Sequence, residues 1–225
     1  MDKNKNYTAL KKFCLDQGAG LFGVADIECI KKEFLLAPRL LEKMDKAVCL
    51  AASLSSAILE EIDQQPTRIY FHNYRTLNTL LDQIALKAAN FIQNKGFLAL
   101  PVPASQIIDW QKQTSHLSHK KIGHLAGLGW IGRNNLLVNK KLGSQLRLVT
   151  ILTNLPLKID QPTKDNCSTC RLCLTVCPAG AIKDNPADFD HLKCFEKLKE
   201  FQKQRIAEQF ICGVCVKACR ANIRC

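Results

Sequence analysis

Apolar positions recur at helical spacing from Tyr7 to Gln17, where Tyr7, Leu10, Phe13 and Cys14 share one face and Lys11, Lys12 and Asp16 lie elsewhere. This predicts an amphipathic helix ending near Gly18. Leu21–Ala25 and Ala47–Ser53 are short apolar runs that predict buried strands, and between them Ile30–Met44 reads as a helical segment interrupted by Pro38. The longest helical pattern runs from Tyr74 to Lys95, with Leu77, Leu80, Leu81, Ile84, Ala88, Phe91 and Ile92 at helical period and Gly96 as the stop. Phe97–Leu100 predicts a strand ended by Pro101 and Pro103. A helix over Trp110–Leu125, a glycine-rich turn and an apolar strand over Leu146–Leu152 follow. Strands alternating with helices argue for an α/β layer with helices packed on a sheet. Pro156 and Pro162 mark a linker, so the chain divides into a domain at 1–156 and a smaller one at 157–225.

The smaller segment carries the chemistry. Cys167, Cys170 and Cys173 are spaced two residues apart, and Cys177 follows after three more, with Pro178 behind it. This spacing wraps a [4Fe–4S] cluster, and the fourth cysteine of such a run ordinarily ligates a second cluster. Cys212, Cys215 and Cys219 repeat the theme, with Cys194 upstream. The swap rule assigns Cys167, Cys170, Cys173 and Cys219 to one cluster, and Cys177, Cys194, Cys212 and Cys215 to the other. Zinc also takes four cysteines, although its sites seldom use three in a row at this pitch.

Size and composition narrow the setting. The 225 residues can bury a sizeable core. No apolar stretch approaches the roughly 18 residues needed to span a bilayer, and the first residues lead into an amphipathic pattern instead of a signal core. Of twelve cysteines, eight are taken by the two motifs; Cys14, Cys29 and Cys49 read as small buried hydrophobes, and Cys225 as a bystander. The expectation is a cytoplasmic protein in a reducing compartment, with no membrane partner. The formal charge of +12 is partly offset if two clusters form, because a cubane with four thiolates carries roughly −2 when oxidised.

Ahead of the linker stands Ala126-Gly-Leu-Gly-Trp-Ile-Gly-Arg-Asn-Asn. Its glycines permit close backbone approach to a flat or anionic partner, or simply a tight turn. It follows a helix and precedes a strand, the reverse of a dinucleotide fingerprint. Between Asp109 and Asp160 there is no acidic residue, yet Lys112, Lys120, Lys121, Arg133, Lys140, Lys141, Arg147 and Lys158 fall there. Such one-signed charge predicts a cofactor, substrate or cluster of negative charge against it. His116 and His119 would share a face of the expected helix, in a cationic or hydrogen-bonding role more than as metal ligands.

Taken together, Ala126–Val138, Gly143-Ser144, Arg147–Leu157 and the cysteine motifs resemble the cobalamin-dependent iron–sulfur superfamily of epoxyqueuosine reductases and reductive dehalogenases. Gly18–Asp26 and Tyr74 resemble it more weakly. The resemblance implies an α+β fold: a nitroreductase-like α/β domain followed by a small ferredoxin-like domain with two [4Fe–4S] clusters. It implies cobalamin lined by Gly127, Gly129, Trp130, Gly132 and Ser144, with Arg147 a further cofactor-binding residue and Tyr74 a candidate catalytic residue. An external low-potential donor of ferredoxin or flavodoxin type would feed the clusters, and the substrate would be a small molecule or nucleoside. Two departures stand out. The proton-donating Asp of the epoxyqueuosine branch falls at Gln113, with Asp109 nearby, and the members acting on tRNA continue into a helical-repeat tail where this chain ends at Cys225. The leading expectation is therefore an iron–sulfur reductase of unidentified substrate. A two-cluster electron carrier serving a partner protein, or its corrinoid, is the alternative. A minimal tRNA epoxyqueuosine reductase is a third, disfavoured reading.

Overall fold

The computed structural model describes residues 2–111 and 113–220, so Lys112 and Cys225 lie outside the described residues. In chain order the elements are α1 (Lys3–Asp16), β1 (Leu21–Asp26), α2 (Pro38–Leu41), β2 (Lys46–Ser53), α3 (Ser56–Glu60), α4 (Arg68–Gln93) and β3 (Ala99–Val102). They continue as α5 (His119–Leu125), β4 (Trp130–Ile131), β5 (Leu137–Val138), β6 (Leu146–Thr153), α6 (Leu172–Thr175), α7 (His191–Lys203) and α8 (Val214–Ala218). The fold is mixed α/β. Contacts divide it into two compact units drawn from interleaved segments: Met1–Ala52, Asn78–Leu128 and Arg147–Thr163 form one, and Ser53–Leu77, Gly129–Leu146 and Lys164–Cys225 the other.

The first unit holds a sheet of order β1-β2-β6-β3, in which β1 pairs antiparallel with β2 and β3 with β6. β2 and β6 lie at the centre and are buried along almost their whole length, which is why both are near-continuous apolar runs. Pro101 sits inside β3 and does not end it; β3 is an edge strand, where a missing N–H donor is tolerated. On α1, Leu10 and Cys14 are fully buried, while Asp2 caps the helix by accepting from the Asn4 and Lys5 amides. α1 and α5 pack on β1. Asp160 ties these parts together: its carboxylate accepts from the Tyr7 hydroxyl at 2.9 Å and from the Val24 amide at 2.9 Å.

Three expectations are corrected here. The helix predicted over Trp110–Leu125 is only α5, capped by Ser118. Ahead of it, the Asp109 side chain accepts from the Gln111 amide, and the Gln113 side chain, on a residue with φ 53°, donates to the Trp110 carbonyl. Such local side-chain bonds compete with helix formation. The segment 30–44 is a single 3₁₀ turn (Lys31–Glu33) plus α2, with Pro38 in the first turn as a starter and not an interruption. Cys14 and Cys49 are buried, but Cys29 is exposed in the turn after β1.

α4 contributes to both units, with residues up to Leu77 in the second and from Asn78 onward in the first. It starts six residues before the predicted Tyr74, because Thr67 accepts from the Tyr70 amide at 3.2 Å and caps it. Within the second unit Tyr70 and Phe71 join Leu54, Leu59, Ile62, Ala207, Ile211, Val214 and Val216 in one apolar core. α8 packs against α3 and α6. Among the described residues no helix is long and apolar enough to cross a membrane.

Candidate metal centre

The second unit contains both cysteine motifs and the hairpin that follows the start of the glycine run. β4 and β5 form that hairpin, with Trp130 opposite Val138. Asn135, at φ 58°, turns the chain between them. Gly129 and Gly132 are required by the hairpin itself. A Cβ at Gly129 would lie 2.0 Å from the Val138 carbonyl oxygen, and one at Gly132 would lie 2.5 Å from the Val138 side chain. Gly143 has φ +59°, and a Cβ there would meet the Cys219 carbonyl oxygen at 1.8 Å. These three glycines are therefore filled against by the protein's own chain.

The eight thiols fall into two groups by their mutual influence. Burial pushes the Cys173 thiol up to about 12, with Cys219, Cys167 and Cys170 adding to the rise. Cys219 is raised by burial as well, and Cys167 and Cys170 act on it. In the other group burial raises Cys194 and Cys212 to about 11 each; Cys177 acts on both and Cys194 on Cys212. Cys215 is raised well above the usual thiol range by burial, then by Cys212, Cys194 and Cys177. It also feels Cys173, so the two groups adjoin through that pair. Buried thiols of this kind stay protonated until a metal displaces the proton. Among the described residues no group of three or more His, Cys, Asp or Glu is gathered so as to hold a single metal ion.

Donors converge on the first group from the hairpin. The Trp130 indole N–H donates to the Cys167 sulfur at 3.4 Å. The Ser144 hydroxyl and backbone N–H both hydrogen-bond the Cys219 sulfur and favour its thiolate. Ser144 is itself 2% exposed and accepts from the Asn134 amide side chain at 2.9 Å. Arg133 clamps the first cysteine loop, donating to the Cys170 carbonyl at 2.9 Å and the Ser168 carbonyl at 2.8 Å. Its Nε–H is buried without a hydrogen-bond partner among the described residues. Near the second group, the Val214 backbone and the Lys197 cation lower the Cys212 thiol against the larger effect of burial. Sulfur donors alone, N–H groups aimed at two of them and a half-buried guanidinium beside the loop suit a group of net negative charge.

The remaining predicted residues lie elsewhere. Gly127 and Arg147 belong to the first unit. A Cβ on Gly127 would meet the Gln161 carbonyl oxygen at 2.6 Å, and the Arg147 Nε donates to Asn78 at 3.0 Å. Tyr74 is half-buried on α4, packs edge-on to Tyr70 and rests on the apolar core of the second unit. Two of the window's positive charges are committed within the protein: Lys121 pairs with Glu33, and Lys158 lies over the Tyr7 ring. His119 has both ring nitrogens engaged, with Nε2–H donating to the Pro103 carbonyl and Nδ1 facing the Thr150 hydroxyl, each at 2.8 Å. Burial lowers it to about 4. His116 precedes α5 and its Nδ1 lies 3.0 Å from the Leu35 carbonyl, so the two do not share a helix face. Asn134 and Lys197 were not singled out from the sequence; nothing in the spacing separates Asn134 from an ordinary turn residue, or Lys197 from a solvated helix lysine.

No family model matches the chain. It is 36% identical over 106 residues to the epoxyqueuosine reductase of Leadbetterella byssophila, a match covering 43% of this chain and 34% of that protein. The Synechocystis epoxyqueuosine reductase is 35% identical over 121 residues, covering 49% and 42% respectively. Among solved structures, the catabolic reductive dehalogenase NpRdhA, bound to 3-bromo-4-hydroxybenzoic acid, superposes with a TM-score of 0.77 at 21% identity. That match covers 97% of this chain and 32% of the dehalogenase. Epoxyqueuosine reductase from Streptococcus thermophilus gives 0.63 at 20% identity, over 94% of this chain and 65% of that one.

The structural likenesses establish the fold, a mixed α/β architecture shared with redox enzymes of both kinds. Together with the sequence relatives, they support a likeness to the epoxyqueuosine reductase-like and reductive dehalogenase-like superfamily. The matched stretches span less than half of the curated relatives' length.

Proposed function

We propose that the chain is an iron–sulfur oxidoreductase of epoxyqueuosine reductase type that holds two [4Fe–4S] clusters and passes electrons through them to a substrate-reducing centre. In this reading 1–156 is the nitroreductase-like region and 157–225 the ferredoxin-like one. Cys167, Cys170, Cys173 and Cys219 hold one cluster, and Cys177, Cys194, Cys212 and Cys215 the other. The observation that carries it is the sulfur group that receives the Trp130 N–H and both Ser144 donors. When bound, each cluster accepts and releases one electron at low potential. The protein's part is to bury the sulfurs, supply N–H donors and place Arg133 and Lys197 as counter-charges. Cys173 lies near enough to Cys215 to raise its thiol, so the two centres would sit side by side in this reading.

Cobalamin belongs to the reading as the acceptor beyond the first cluster. Support comes from the superfamily, one of whose solved structures is described as suggesting a mechanism for B12-dependent dehalogenation. In this reading Gly127, Gly129, Trp130, Gly132 and Ser144 line the cobalamin, while the side of each of the three glycines where a Cβ would stand is filled by the protein's own atoms. An external low-potential donor and an unidentified substrate complete the scheme. A second reading, a two-cluster carrier that reduces a partner, is favoured by one observation. The residue at the proton-donor position, Gln113, is tied to the Trp110 carbonyl, and the nearby Asp109 carboxylate accepts from its own loop.

Anaerobic reconstitution tests both. Iron and sulfide near eight per chain are expected, with Cys219→Ala and Cys212→Ala each losing about half. Two zinc ions per chain without cluster absorbance would sink the proposal. Corrinoid absorbance that survives desalting supports the cobalamin-using enzyme, whereas a fully loaded protein that never retains cobalamin supports the carrier.

A further inference from the structure

The second unit has a cleft of about 670 Å³ lined mainly by basic and polar side chains. Arg68, His72 and Arg75 enter it from one face of α4, at positions i, i+4 and i+7, and Arg205 faces them from the turn after α7. Among the described residues Glu208 is the only acidic one lining it. Among the described residues none of the three arginines has a carboxylate partner. Arg75 is held over the Phe71 ring, 5.4 Å from its centroid.

Two further observations give the cleft a purpose. Its floor includes Phe71 and Ala207, which belong to the apolar core against which Cys212 and Cys215 pack. The cleft and the second sulfur group therefore border the same apolar core. Arg205 also occupies a costly backbone position. The Ile206 amide donates to the Phe201 carbonyl and the Arg205 amide to the Gln202 carbonyl, a Schellman turn whose left-handed residue is Arg205 at φ 57°. Glycine or asparagine ordinarily fills that position. An arginine there gives up stability and places a guanidinium at the cleft.

From this geometry we infer that the cleft of Arg68, His72, Arg75 and Arg205 is the docking site for a small acidic one-electron donor protein that reduces the second cluster. The inference rests on the two-cluster reading above. The step moves one electron: the donor is oxidised by one, the cluster is reduced by one, and no bond or proton is transferred. Guanidinium groups without a carboxylate partner attract an acidic surface over a distance, and the effect is screened by salt. RNA phosphates would meet the same charges, but the apolar core that the cleft shares with the second sulfur group favours a redox protein.

Stopped-flow reduction of the anaerobically loaded full chain by fully reduced flavodoxin tests this, with reduced methyl viologen, a small cation, as the control. Arg68→Glu combined with Arg75→Glu is expected to slow the flavodoxin reaction about tenfold or more at low salt. The viologen reaction should not slow. Arg205→Gly should raise the melting temperature and still slow flavodoxin, an outcome that misfolding cannot produce. Equal flavodoxin rates in a fully loaded wild type and variants, or a wild-type rate indifferent to salt, overturn the cleft alone. So does loss of tRNA stem-loop binding in the variants at an unchanged flavodoxin rate, which reassigns the cleft to RNA. A wild type that takes up no cluster overturns the two-cluster reading and this inference together.

Discussion

The indole nitrogen of Trp130 stands 3.4 Å from the sulfur of Cys167, so the hairpin of the glycine run and the first cysteine loop meet through a single N–H···S hydrogen bond. The two residues are 37 positions apart in sequence. A hydrogen bond to a cluster sulfur stabilises the more negative, reduced state, and hydrogen bonding to sulfur is one of the settings of cluster potential.

Trp130→Phe keeps the ring and removes the donor. The expected result is unchanged iron content and a lower midpoint potential for one cluster, by on the order of 40 mV, the one-electron equivalent of a hydrogen bond worth about 1 kcal/mol. A redox titration followed by electron paramagnetic resonance reads it. An unshifted potential would show that the indole packs against the sulfur without bonding to it.

Gly143 and Gly180 share the same left-handed φ of +59°, but only Gly143 faces a neighbour, the Cys219 carbonyl oxygen. Alanine at either position carries a similar backbone penalty of about 1 kcal/mol. Gly143→Ala must also displace Cys219, so iron is expected to fall from about eight to about four per chain, while Gly180→Ala stays near eight. Equal iron in the two variants would separate the Gly143 turn from the ligand set.

Arg133→Met deletes both donors to the Cys170 and Ser168 carbonyls while keeping an apolar stem. Unpaired carbonyls and a missing counter-charge should loosen the loop that carries three cysteines of the first group. Chelator-driven iron loss is the measurement: the first half of the iron should leave severalfold faster than in wild type, the second half at the wild-type rate.

His119 makes stability depend on pH. Below its ordinary value of 6.5 the unfolded chain takes up a proton that the folded ring refuses until about 4, so stability falls as pH drops through that window. The difference sets a ceiling of about 3 kcal/mol, reduced by the ring's partial exposure. Denaturant unfolding at pH 7 and pH 5 should show wild type losing more than His119→Gln, which has nothing to titrate there. The same loss in both proteins would assign the pH dependence to other groups.

Much of this was legible along the chain, and the reasons are local. β2 and β6 are continuous apolar runs because both faces of a central strand are covered. Leu81, Ile84, Ala88 and Ile92 recur at helical period because one stripe of α4 is buried. The cysteine spacing is legible for the same kind of reason, since short turns must aim neighbouring sulfurs at one centre. The start of α4 was missed because exposed Ile69 and Arg68 blur the period, and Thr67 caps only through a hydrogen bond that spacing does not announce. The helix expected from Trp110 lost to side-chain bonds of Asp109 and Gln113.

The sequence by itself determined the sulfur inventory, the strand and helix periods and the likeness to a redox superfamily, because each is written in residues a few positions apart. What only the tertiary structure decided is what faces what. It set Trp130 and Ser144 against Cys167 and Cys219, turned the glycines toward the protein's own atoms and gathered Arg68, Arg75 and Arg205 around one cleft. Those relations join segments tens of residues apart, and they exist only once burial of the apolar core has fixed where each segment lies.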